Sequence, residues 1–99
     1  MTLAVISIDR AVATVYLKFM ITPIQMRAAR ALIGWTQLEV ARAAGVSEMS
    51  VKNIERGVTD PRVSTLRAIQ QAFEDAGVEF IDGPYSGDGG PGVRLRKAR

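Results

Sequence analysis

Residues 36–57 read TQLEVARAAGVSEMSVKNIERG, and this stretch decides the fold. Thr36 with Glu39 three positions on is a capping box, in which hydroxyl and carboxylate each satisfy a backbone N–H at a helix start. A short helix is expected from there through Ala44. Gly45 ends it, because a residue without Cβ enters the left-handed conformation freely. Ser47 then caps a second helix that runs to about Arg56 and closes at Gly57. Gly45 permits a sharp turn between the two, Val46 plugs the turn with an apolar side chain, and the helices are expected to cross steeply. On the second helix Val51 and Ile54 fall on one face, while Glu48, Met49, Lys52 and Asn53 gather on the opposite one. One face is suited to burial and the other to display.

The flanking sequence supplies the rest of a helical core. Thr22-Pro23-Ile24-Gln25 offers a capping hydroxyl, a proline at the first helical position and a glutamine able to close a capping box. The helix that follows runs from Pro23 to about Ile33, with Gly34 as its stop. Asp60-Pro61 marks a loop before a fourth helix from Val63 to Ala76. Met26, Ala29, Leu38, Ala41, Leu66, Ile69 and Phe73 are spaced to close the core, with Trp35 as a large cover residue. Residues 22–76 therefore form the central domain.

Two appendages flank it. Residues 1–21 are apolar and β-branched with alternating polarity from Val12 to Phe19, which reads as a strand or as a segment upstream of the true start at Met20. Residues 77–99 change character: Gly77–Ile81 and Val93–Arg96 alternate like short strands around a stretch dense in Gly and Pro. A loose hairpin is expected. An isolated hairpin is marginal in water, so it needs a packing partner or another copy of itself, which makes the tail a candidate dimer element.

Composition narrows the function. Ninety-nine residues suffice for one domain with appendages, and 47% hydrophobic with 23% charged residues is ordinary for a globular chain. With neither cysteine nor histidine, disulfides, thiolate nucleophiles and the commonest zinc ligands are removed, and the acidic residues lie scattered along helix faces. No enzymatic activity, metal or cofactor is expected. Nothing resembles a secretory signal or a membrane span, so a cytoplasmic protein is expected. The net charge of +3 points toward a polyanion, yet residues 23–76 hold seven basic side chains against six acidic ones. Charge alone does not establish a DNA partner.

The run Arg30 to Ala41 (RALIGWTQLEVA), Gly45-Val46-Ser47, Val51 to Gly57 (VKNIERG) and Pro61 resembles the Xre family, the helix-turn-helix regulators that include lambda repressor-like and Cro proteins. The fold class this implies is mainly α: a lambda repressor-like bundle, here of four helices with a short C-terminal β-hairpin and an N-terminal strand. The family usually has five helices, and here the Gly-rich tail stands in place of the fifth. The resemblance implies a dimeric repressor that binds double-stranded DNA. It assigns Thr36 and Gln37 to phosphate contacts at a positive helix N-terminus. Ser47 and Ser50 join the head of the groove-entering helix, and Glu48, Met49, Lys52 and Asn53 face base edges. Arg30 and Glu55 correspond to a partly buried ion pair with a structural role. Thr36 and Ser47 are helix caps first, and Arg94, Arg96, Lys97 and Arg99 read equally as a solvated end or as sequence-blind phosphate contacts. An antitoxin or antiactivator that keeps this fold but masks a regulatory protein partner is the alternative, since fold does not fix function.

Overall fold

In the computed structural model, residues 20–82 and 88–97 are described. Four helices, α1 (Pro23–Ile33), α2 (Gln37–Ala44), α3 (Glu48–Arg56) and α4 (Val63–Asp75), precede the antiparallel strands β1 (Val78–Ile81) and β2 (Gly92–Leu95). The architecture is mainly α, with a small two-stranded sheet at its C-terminal side. Thr22 and Thr36 form the two capping boxes expected of them, each accepting from the backbone of the third helical residue, whose side chain returns a bond. Ser47 accepts from the Ser50 N–H. α4 lacks such a device: Arg62 stands at its cap position and makes no side-chain capping bond.

Met26, Ala29, Val40, Ala41, Val51, Ile54, Leu66, Ile69 and Phe73 fill the core. Trp35 and Val46 are half-buried against it, and Trp35 stacks at a tilt on Phe73 with ring centroids 5.9 Å apart. One expected core residue is displaced. Leu38 is 37% exposed, whereas Val40, which the sequence reading leaves out, is fully buried. The helical repeat explains it: Val40, Ala41 and Ala44 share the inward face of α2, and Leu38 lies about 110° from the centre of that face.

The tail is built into this core rather than appended to it. Val78 is fully buried, Phe80 and Val93 pack on the cluster, and Phe80 meets Phe73 edge-on at 6.0 Å. The division expected at residue 76 is therefore not a break in packing. Gln25 secures the arrangement. Its Oε1 accepts from Thr22 N–H at 2.9 Å while its Nε2 donates to the carbonyls of Ile81 and Gly92 at 3.1 and 2.9 Å. A side chain that closes the first turn of α1 thus also holds both strands at the β1–β2 end. Apart from Met20 and Ile21, which are buried in the core, the expected N-terminal strand lies outside the described residues.

Candidate nucleic-acid interface

The turn between α2 and α3 is short because Gly45 reverses the chain at φ 71°, ψ 32°. The Val46 N–H reaches back to the Ala41 carbonyl at 3.0 Å, and Ser47 opens α3 immediately. No atom comes within 4 Å of a Cβ built on Gly45, so the backbone conformation, not space, requires glycine there.

From behind, α3 is held by buried Val51 and Ile54 and by Glu55, which is 4% exposed. Arg30 grips the Glu55 carboxylate in bidentate fashion, Nε to Oε2 at 2.8 Å and one terminal nitrogen to Oε1 at 2.9 Å. Gln37 Nε2 also donates to Oε1, at 3.2 Å, and the Arg27 guanidinium donates to the Glu55 backbone carbonyl. The last turn of α3 is thereby tied to α1 and to the first residue of α2. Such a charge-assisted fork fixes direction as well as distance, which suits a helix that must be presented at a set angle.

The opposite side of α3 is open. Met49 is 60% exposed, Arg56 is exposed, and Lys52 and Asn53 are partly so. These four stand at i, i+3, i+4 and i+7, one continuous stripe. Glu48 sits at the flank of the stripe, its Oε2 3.8 Å from Lys52 Nζ. On the other flank, Ser50 and Asn53 line a shallow cleft of about 210 Å³ with Ile54, Thr59, Pro61, Arg62 and Thr65. The Ser47 and Ser50 hydroxyls are bonded to each other at 2.8 Å.

The residues expected to meet DNA thus fall on two helices. Ser47, Glu48, Met49, Ser50, Lys52 and Asn53 lie on α3 and its cap. Thr36 is exposed at the head of α2, its hydroxyl engaged with Glu39. Gln37 is half-buried with its amide turned toward Glu55, and its backbone stands at the positive end of α2. Arg56 completes the stripe and is the residue that sequence reading passed over. Its signal was present, seven positions beyond Met49. Among the described residues no group of acidic side chains is placed to hold a metal ion, and no helix is long and apolar enough to cross a membrane.

Compared with protein-family models, the chain matches one described as helix-turn-helix, over residues 26–74. No curated protein matches it.

Proposed function

Residues 26–74 belong to the Cro/C1-type, Xre-like helix-turn-helix family, a family of DNA-binding domains, and on that premise we propose that the chain is a sequence-specific transcriptional regulator of double-stranded DNA that acts as a dimeric repressor. The observation that supports this most directly is the division of α3, with Val51, Ile54 and Glu55 buried and Met49, Lys52, Asn53 and Arg56 turned outward. In the major groove Lys52 suits guanine acceptors, Asn53 can bond adenine through two atoms, and Met49 suits a thymine methyl. Thr36, Gln37 and Ser47 position the helix through phosphates. Arg56 adds a positive charge at the far end of the stripe. A two-fold dimer would meet half-sites about one helical turn, ~34 Å, apart.

Lys52→Ala and Asn53→Ala test the assignment. Combined, they are expected to abolish preference for the operator over random DNA while helicity by circular dichroism stays at the wild-type level. Unchanged discrimination would remove base reading from this helix. The near-balance of charge in residues 23–76 favours one other reading, a module that masks a regulatory protein. Salt separates the two: phosphate contacts make binding weaken steeply with ionic strength, whereas capture of a protein through an apolar surface does not.

A further inference from the structure

Glu48, at the flank of the stripe, is the residue of this face least suited to a polyanion, and its position beside Lys52 suggests a role. Oε2 and Nζ lie 3.8 Å apart one helical turn from each other, with side chains 42% and 45% exposed. An ion pair so exposed contributes little to folding. Glu48 also stands in the first turn of α3, where a carboxylate favours the positive end of the helix, but that contribution is modest at an exposed site and calls for no lysine at position 52. Resting on the reading of α3 as the groove-entering helix, we propose that Glu48 and Lys52 act as one unit that reads a single C·G base pair, the carboxylate accepting from the cytosine N4 amino group and the ammonium donating to guanine O6 and N7.

The chemistry of the groove edge supports a joint contact. A C·G pair presents one donor, cytosine N4, beside two acceptors, guanine O6 and then N7. N4 and O6 are bonded to each other within the base pair and so lie about 2.9 Å apart. The Glu48 and Lys52 atoms stand 3.8 Å apart, and a turn of the flexible four-carbon lysine stem closes the difference, so a carboxylate over N4 brings the ammonium over O6 with the ion pair kept. Donors and acceptors then alternate around the four groups. An A·T pair also sets an amino group beside an oxygen, but the next group along is the thymine methyl. There a lysine, with three N–H donors, finds one acceptor instead of two. Lys52 also neutralises the carboxylate in the negative field of the phosphates, and their attraction strengthens as water leaves the groove.

The test is selection of the full chain, and of variants, against a randomised double-stranded DNA library at fixed salt. Wild-type sites are expected to carry C·G at one position of each half-site. Glu48→Gln and Lys52→Gln should each relax that same position, lowering the preference for C·G by about 5- to 150-fold and leaving the other positions unchanged. Exchanging the charges, Glu48→Lys with Lys52→Glu, should convert the position to G·C. Both residues are surface groups, and circular dichroism checks that the variants keep their helices. An A·T pair at the shared position overturns the joint reading, as do effects of the two variants at different positions or the absence of any effect; each leaves DNA recognition standing. A wild-type selection that enriches no sequence overturns the DNA reading and this proposal with it.

Discussion

Arg30 holds Glu55 through two parallel hydrogen bonds of 2.8 and 2.9 Å, a clamp between the first helix and the last turn of the third. Because the carboxylate is 3% exposed, removing it leaves the donors of Arg30 and Gln37 without their acceptor at the base of α3. Glu55→Ala is expected to cost about 2–3 kcal/mol, less than for a wholly buried pair because Arg30 retains some contact with water. For a domain of this size that lowers Tm by roughly 10–20 °C. Base preference measured below the transition should persist. Equal melting temperatures for variant and wild type would remove the clamp from the account of stability.

Gln25 links elements far apart in the chain, since its partners Ile81 and Gly92 lie 56 and 67 positions away. Gln25→Ala should cost about 1–2 kcal/mol, and amide hydrogen exchange in 78–81 and 92–95 should rise more than in α3. Gln25→Glu should be worse at neutral pH, because a buried carboxylate would face two carbonyl oxygens with nothing to donate. If the strands exchange at the wild-type rate in both variants, the hairpin is held by its apolar contacts alone.

Val40 and Leu38 make opposite predictions from neighbouring positions. Val40→Ala opens a fully buried site and should cost about 2 kcal/mol, while Leu38→Ala on the exposed side of α2 should stay within about 0.5 kcal/mol. Urea denaturation of the two variants reads the difference directly. Reversed magnitudes would mean that α2 is rotated from the orientation described.

Gly45 offers a cleaner separation of backbone from packing. A methyl group placed there meets no atom within 4 Å, so Gly45→Ala should lose only the conformational term, about 1–2 kcal/mol. Gly45→Asn should lose less, because asparagine tolerates φ near +71°. Similar losses for both would point to a different origin of the requirement.

Glu79 in β1 is paired with Arg94 across the ladder at 2.7 Å, and the Arg94 hydrogen bond and charge hold its carboxyl below the usual range. With the folded value below the unfolded one, the stabilisation is present above the ordinary carboxylate range and is lost as pH falls through the lowered value. Arg94→Ala should therefore flatten the acid limb of the stability curve, and the two proteins should converge at low pH. The pair is open to solvent, so the effect is small and shrinks with added salt. A titration of Glu79 by NMR that is identical with and without Arg94 would remove the pairing in solution.

The helices were legible because their punctuation is local: Thr22 with Gln25, Thr36 with Glu39, and Ser47 with Ser50 act within one turn. The displayed stripe of α3 followed from the same periodicity. α2 was harder, because in eight residues Leu38 with Ala41 fits an amphipathic pattern as well as Val40 with Ala41 and Ala44 does. The seat of the hairpin on α1 could not be read at all. It depends on a glutamine whose local role in the cap hides its distant one, and on Val78 meeting a cavity that exists only once four helices have closed. Gln37 shows the same limit, for its neighbour Glu55 is eighteen positions away.

The ribbon wedged against α1 also governs how this molecule can be cut and joined. A truncation after the fourth helix would uncover the hole that Val78 fills and strip Gln25 of both its distant acceptors, so the shortest piece expected to keep its shape runs through Leu95. Grafting α2 and α3 alone into another scaffold would leave this keel behind.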